Sequence, residues 1–259
     1  MTAFTGAAGV RLDLEGPVAT VTLCRPEVLN AQTPEMWEAL RAFGRELPGD
    51  IRVAIVRGEG RAFSSGLDIK AAGFGEGEPG TLAELIRTSP EEAEAQISVY
   101  QEAFAWLRRP SIISIAAVQG HAIGAGFQLA LACDFRVVTD GAKFTMAEVK
   151  LGLVPDLGGT KRLVELVGYA RALELCVTGR RVDADEALRT GLANLVVPAD
   201  ELDAAARDLA SATLAGSRDA VIEIKALIAG AAGRSFPEQE AAERSAQVRR
   251  LRDLAGLES

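Results

Sequence analysis

The sequence predicts an α/β fold that gives way to an all-helical last third. Three observations carry that expectation. Short apolar, β-branched runs alternate with stretches of helical spacing as far as Val197. Two of those runs empty into glycine-bearing loops, Gly58 to Gly66 and Gly120 to Gly126, as strands do when they deliver the chain to a binding edge. Beyond Val197 no strand signal returns. The organisation expected is an α/β core over residues 1–198 and a helical region over 199–259.

Taken in order, Val10 to Leu14 and Val18 to Leu23 alternate about the turn Glu15-Gly16-Pro17 and read as a β-hairpin. Thr33 is an N-cap with Pro34 at the first helical position, and Met36, Trp37, Leu40, Phe43 and Leu47 form one apolar face. Arg52 to Arg57 is a compact strand leading into GEGRAFSSGLDIKA, where Gly58, Gly60 and Gly66 permit close backbone approach to a ligand. The segment Ala71 to Gly80 holds four glycines and a proline, too many for a helix interior, and is expected to be mobile. Ser89, Pro90 and Glu92 form a capping-box start, after which Ile97, Tyr100, Phe104 and Leu107 recur at helical spacing until Pro110.

A strand from Ile112 to Val118 follows, then the glycine turn Gly120, Gly124, Gly126 and a short apolar helix, Phe127 to Cys133. Backbone N–H groups near Gly124 to Gly126 are left pointing out of a helix N-terminus, a site for a phosphate or for an oxygen that gains charge during reaction. Leu163 to Val177 is helical in spacing and broken by Gly168, and Asp183 with Glu186 caps a helix ended by Gly191. A strand at Leu195 to Val197 precedes helices near Asp200 to Leu214, Arg218 to Ala229 and Pro237 to Leu254. Arg249, Arg250 and Arg252 share the last helix with Glu238, Glu240 and Glu243, which marks a solvated or subunit-facing helix in preference to an anion site.

Composition narrows the function classes. A chain of 259 residues, 48% hydrophobic and 25% charged, can bury a sizeable core, and no apolar run approaches the ~20 residues of a membrane span. The net charge of -8, with no other basic cluster, argues against a nucleic-acid partner. The first residues, MTAFTGAAGV, lack the flank and apolar run of a signal peptide, so a cytoplasmic location is expected. Cys24, Cys133 and Cys176 form no C-x-x-C pair and read as reduced; with one histidine, a metal site would need mostly carboxylates, and none is expected.

Five motifs occur together in order: RPEVLNA, AFSSGLDIK, AAVQGHAIGAGFQLALACDFRV, AKFTMAEVKLGLVPDLGGTKRL and TGRRVDADEALRTGLANLVV. Together they resemble the enoyl-CoA hydratase/isomerase (crotonase) superfamily over nearly the whole chain. The resemblance implies a spiral of ββα turns with a C-terminal helical region, assembly as a trimer or dimer of trimers, and acyl-CoA thioesters as substrate. It also implies backbone oxyanion donors at Leu67 and Ala125, a CoA-binding loop of Ser65, Gly66, Leu67, Asp68 and Ile69, and catalytic side chains at Glu148, Gln128 and Asp156. The bland alternative, that Gly66 and Gly124 merely make tight turns, is the weaker one with two such loops in family order.

The acid/base pattern departs from that of the family's hydratases, which use two glutamates at the positions of Gln128 and Glu148. Gln128 can orient a water or substrate oxygen through its amide but cannot exchange a proton near neutral pH. Glu148 sits among Phe144, Met146, Val149 and Leu151, where burial would raise its pKa into a useful range. Asp156 matches a position where some isomerases of the family place an aspartate, and reads otherwise as a turn residue between Pro155 and Gly158. One carboxylate that removes a proton and returns it elsewhere moves a double bond, so isomerisation is favoured over hydration, with no metal or redox cofactor required.

Rival classes fit less well. The dinucleotide reading of strand, glycine turn, helix and Asp140 lacks the third glycine of its fingerprint. A serine hydrolase would need His121 as base, and neither Ser64 nor Ser65 lies in G-x-S-x-G, so His121 reads as structural. An acyl-CoA-binding relative that lost activity with the glutamate at position 128 is the non-enzyme alternative, opposed by Glu148 and Asp156. Phe74, Leu82, Leu85, Ile86 and Trp106 are candidates for the acyl pocket and equally for the core; the acyl group itself is not legible.

Overall fold

The computed structural model describes residues 3–6, 8–70, 72 and 85–257. The chain opens with β1 (Ala3–Gly6), β2 (Val10–Glu15) and β3 (Val18–Leu23), passes through α1 (Pro34–Glu46) to β4 (Val53–Gly58), and reaches α2 (Pro90–Ala105) and β5 (Ile113–Val118). Then come β6 (His121–Ile123), α3 (Ala125–Ala132), β7 (Phe135–Thr139) and β8 (Lys143–Thr145). A 3-10 turn at Glu148–Leu151 leads to α4 (Gly159–Val167), α5 (Tyr169–Thr178), β9 (Arg181–Asp183), α6 (Ala184–Arg189) and β10 (Leu195–Val197). Three helices finish the described chain: α7 (Leu202–Leu214), α8 (Arg218–Ala231) and α9 (Phe236–Leu254).

The large sheet runs β1-β2-β3-β4-β5-β7-β10. Its first two pairings are antiparallel and the remainder parallel, so β4, β5 and β7 leave their carboxyl ends on one edge. That edge is where an open parallel sheet presents a ligand site. Alternation places Ala54, Val56, Ala116 and Val118 against α1, α2 and α3, while Val53, Ile55, Ile115 and Ala117 face Leu202, Ala206 and Ala210 of α7. Strand β4 is therefore covered on both faces, which accounts for the continuous apolar run in its sequence. The helical region thus contributes its first helix to the sheet's far layer.

Local chemistry explains the helix starts. Thr33 accepts from the Met36 N–H with Pro34 at the first position, Ser89 and Glu92 form a reciprocal capping box, and Asp183 accepts from Glu186 N. At the other end of α3, the buried Arg136 donates to the carbonyls of Ala130, Cys133, Asp134 and Leu192. A cation there suits the carbonyl end of the helix dipole, although burial depresses the Arg136 pKa to about 10. Lys225 of α8 reaches the core in the same manner, donating to Asp134 Oδ2 at 2.6 Å and to the carbonyls of Leu107 and Ile112.

Several elements lie outside the sequence expectations. The strands β1 and β7, and the small sheet β6-β8-β9, carry too little periodicity to be read. Trp106 does not line the cavity that holds the candidate site. It is 3% exposed in the core, and a Cβ placed on Gly44 of α1 would fall 2.3 Å from its ring, so the indole packs directly on that helix. Arg249 pairs with Glu223 of α8, and Arg250 with Asp253 and Asp219, making the basic cluster part of a helix-to-helix contact. Cys24, Cys133 and Cys176 are free thiols. Among the described residues no helix is long and apolar enough to cross a membrane. Phe74, Leu82 and nearly all of the glycine-rich Ala71 to Gly80 segment fall outside the described residues.

Candidate active site

Two loops leave the neighbouring strand ends of β4 and β5 and join by backbone pairing. Phe63 N donates to Gln119 O, Ser64 N to His121 O and Ile123 N to Ser64 O, at 2.8 to 3.0 Å. The approach is as close as atoms allow: a Cβ on Gly66 (φ +89) would lie 2.5 Å from Ile123 O, and one on Gly126 would lie 2.6 Å from Ser64 O. His121 uses its carbonyl in this junction, and its imidazole pKa is lowered by burial and by nearby cations, which agrees with the structural reading of that residue.

Within this junction Leu67 and Ala125 keep free N–H groups for physical reasons. Gln32 donates its N–H to Gly66 O at 2.7 Å and accepts from Asp68 N at 2.8 Å, straddling Leu67 as a parallel bridge does. The N–H of Leu67 must therefore face away from Gln32. Ala125 is the first residue of α3, so its N–H has no carbonyl a turn behind it. Neither N–H meets an acceptor among the described residues.

Both residues line a cavity of about 590 Å³. Ser65, Gly66 and Ile69 of the first loop lie on it too, as do Gly124, Gln128, Glu148, Asp156 and Leu157. The rest of the wall is apolar, including Trp37, Leu85, Ile86, Ile97 and Val154, with Lys150 the cationic residue in the lining. Of the residues singled out from sequence, Asp68 stands apart: its carboxylate pairs with Arg25 at 3.1 Å and ties the first loop to the Arg25 to Gln32 segment.

Gln128 is 1% exposed and more committed than the sequence reading allowed. Its Oε1 accepts from Leu157 N at 2.8 Å and Gly159 N at 3.2 Å, serving the start of α4, where Gly158 supplies no side-chain cap. These two donors fix the orientation of the amide, and Nε2 then donates to Glu148 Oε1 at 2.8 Å. The amide oxygen is thus unavailable to orient a water. Gln128 is a brace between Glu148 and the turn that follows Asp156.

Glu148 has one oxygen clamped by Gln128 and the other, Oε2, buried without a partner among the described residues. Burial raises its pKa above the ordinary 4.5, partly offset by hydrogen bonds from the backbone and Gln128, while the Asp156 charge adds to the rise. The Asp156 carboxyl is also raised by burial. Two carboxyls that hold protons above the usual range, beside two free N–H groups and an apolar chamber, can move a proton on a carbon next to a carbonyl. Asp140 directly follows β7 and lines a separate cavity with Arg57, Gly120 and Asp203, one whose lining includes neither Gly124 nor Gly126.

Residues 13–253 match the profile of the family described as Enoyl-CoA hydratase/isomerase. A Mycobacterium leprae protein assigned as an enoyl-CoA hydratase is 36% identical over 90% of this chain and 84% of its own length. A carnitinyl-CoA dehydratase of Citrobacter koseri is 41% identical over 81% of this chain and 76% of its own. The crystal structure of a Thermobifida fusca YX protein assigned as an enoyl-CoA hydratase, in complex with acetoacetyl-CoA, superposes with a TM-score of 0.90. It shares 48% identity and covers 95% of this chain and 96% of that one.

Proposed function

Since the chain belongs to the enoyl-CoA hydratase/isomerase (crotonase) family and processes acyl-CoA, we propose that it shuttles a proton on the bound thioester and moves a double bond. The observation that carries the proposal is the state of Glu148, a single carboxylate on the cavity lining with one oxygen braced by Gln128, the other buried and unpartnered among the described residues, and an amide where a second glutamate would stand.

The thioester oxygen accepts from the N–H groups of Leu67 and Ala125, with the CoA portion along Ser65, Gly66, Leu67 and Ile69, Asp68 holding that loop to Arg25, and the acyl group against the apolar wall. The Glu148 carboxylate takes a proton from the α or γ carbon; the C–H electron pair moves into the conjugated system and charge gathers on the thioester oxygen. Each donor in such a hole is worth roughly 2.7 to 4 kcal/mol. The same carboxyl returns the proton at the other carbon, so no net proton or electron is exchanged. Asp156 assists reprotonation or binds a polar substrate group. This chemistry calls for no metal or redox cofactor. A homotrimer or dimer of trimers in the cytoplasm is the setting we expect, and the exposed Ile224, Ile228, Phe236 and Leu254 on the last helices suit burial between subunits.

A second reading, hydration of a 2-enoyl-CoA, is supported by Asp156, which puts a second carboxyl on the same cavity wall. Incubation with 3-enoyl-CoA and 2-enoyl-CoA thioesters in deuterated water separates the readings. We expect isomerisation with label at the α or γ carbon and slow water addition. Fast hydration without isomerisation would replace our reading with the second, and binding with no isomerised product, no hydration and no label would make the protein a non-catalytic acyl-CoA binder.

A further inference from the structure

The Arg25 to Gln32 segment holds two consecutive residues in a sparsely populated backbone region, a feature that the proton shuttle does not account for. Leu29 (φ 56) and Asn30 (φ 54) both adopt the left-handed region without being glycine. Their conformation is held by Asn30, whose amide donates to Glu59 O and Ala62 O at 2.9 Å and accepts from Arg25 N at 2.9 Å. The contorted segment delivers the Asn30 carbonyl and the Gln32 side chain to Ser64. There the Ser64 hydroxyl donates to Asn30 O at 2.8 Å and accepts from Gln32 Nε2 at 3.1 Å and Gly66 N at 3.2 Å. One donor and two acceptor sites are all a hydroxyl has, so Ser64 is fully used. Gln32 Oε1 in turn accepts from the Trp37 ring N–H at 2.8 Å. Asn30, Gln32 and Ser64 are each 0% exposed, and no water competes for these bonds.

Trp37 is the other end of the chain of bonds, and it lies in a different place. Trp37 lines the cavity, and its ring packs on Tyr100 at 4.9 Å between centroids. The indole thus has an apolar body against the acyl chamber and a polar handle in the loop scaffold.

We infer that Trp37, Gln32 and Ser64 are positioning residues that couple the acyl chamber to the Leu67 N–H. The inference rests on the oxyanion role proposed above for that N–H. An acyl group seated on the Trp37 ring presses the indole N–H onto Gln32; Gln32 holds both the backbone on either side of Leu67 and the hydroxyl that anchors Gly66. Binding of the chain and polarisation of the carbonyl are then linked through buried bonds that have one arrangement. Short or misplaced acyl groups forgo the linkage, so the relay discriminates by rate as well as by affinity.

The test substitutes Trp37→Phe, which keeps an aromatic wall and leaves Gln32 Oε1 unpaired. The probe is an eight-carbon 2-enoyl-CoA, long enough to engage the apolar wall, carrying ¹³C at the thioester carbonyl and read by the carbonyl vibrational band and by label exchange in deuterated water. We expect kcat for exchange to fall about tenfold to a hundredfold, the scale of a small misplacement of a reacting group. KM should change little, and the carbonyl band should move back toward its position in free solution. Gln32→Met, which retains the Trp37 ring, should show the same signature and serves if Trp37→Phe does not fold. In the double variant the loss should be no greater than in Gln32→Met alone, because both lesions interrupt one chain. A folded variant with wild-type kcat and an unmoved band overturns the relay, even if its melting temperature drops. Wild type that neither exchanges label nor shifts the band would instead overturn the proposed function.

Discussion

The two loops that present free N–H groups reach the same end by different physics. The loop at Ser64 to Asp68 is held by side chains in addition to its backbone pairing with Gln32: the Gln32 and Ser64 side chains within, the Arg25–Asp68 pair at 3.1 Å outside, and a segment with two left-handed residues behind them. The loop at Ile123 to Gly126 is held by main chain: Gly124 N donates to Thr145 O at 2.9 Å, Ile123 sits opposite Thr145 in β6 and β8, and α3 follows with every residue buried. Gly124 is its N-cap and offers no side chain. The first loop can therefore be detuned by exchanging a polar atom, whereas the second responds only to a change of backbone geometry.

The largest effect should come from a change that leaves both loops alone. Glu148→Gln removes the base that they serve, and turnover should fall roughly 10²- to 10⁴-fold while CoA affinity, measured by calorimetry, stays near wild type. Equal activity of this variant and wild type on the best substrate would remove Glu148 from the mechanism.

A Cβ at the junction tests whether the loops act as one. Gly66→Ala places a methyl 2.5 Å from Ile123 O at φ +89, and must push the two loops apart. We expect about a hundredfold loss of kcat, as for an ångström-scale displacement, together with a lower melting temperature. Gly124→Ala (φ +51) meets Glu148 Oε1 at 3.4 Å, so it should impair the base more than the junction. Wild-type kcat in folded Gly66→Ala would show that the close approach is dispensable.

Gln128→Glu sharpens the comparison from the side of the base. The new carboxylate keeps the acceptor for Leu157 N and Gly159 N at a helix start, where negative charge is welcome. Its other oxygen then faces Glu148 where the present bond is 2.8 Å, so the pair must share a proton. Water addition to a 2-enoyl-CoA should rise by at least about tenfold. No gain in a folded variant that binds CoA would mean that the acyl chamber, not the missing carboxylate, selects the reaction.

The smallest effect is in pH dependence. Burial raises the Glu148 pKa, so the group keeps its proton to higher pH than a free glutamate and the basic form is lost as pH falls through that raised value. The acid limb of kcat/KM should lie above pH 4.5, the ordinary value. Asp156→Asn removes a charge that adds to the rise, so its limb should move to lower pH, with less loss of turnover than Glu148→Gln. A limb that does not move would mean that the two carboxyls do not sense each other.

Much of this was legible in the sequence wherever the signal is local. The hairpin at Val10 to Leu23, the capped starts at Thr33, Ser89 and Asp183, and the helix break at Gly168 depend on residues within a turn or two of one another, and the structure has all of them. So does the run of motifs that identified the family and brought Ser65, Gly66, Leu67, Ala125, Gln128, Glu148 and Asp156 to one cavity. Tertiary structure alone decided the rest. The strands β6, β8 and β9 are three residues each and pair across the chain, too short for any period to show. Trp106 and Trp37 look alike as apolar residues at helical spacing, yet one packs into α1 and the other faces the cavity. The partners of Gln128 at Glu148, Leu157 and Gly159, and of Ser64 at Asn30, Gln32 and Gly66, were likewise hidden. A sequence states which hydrogen-bonding groups a side chain has, but burial decides which of them must be satisfied and which neighbour can do it.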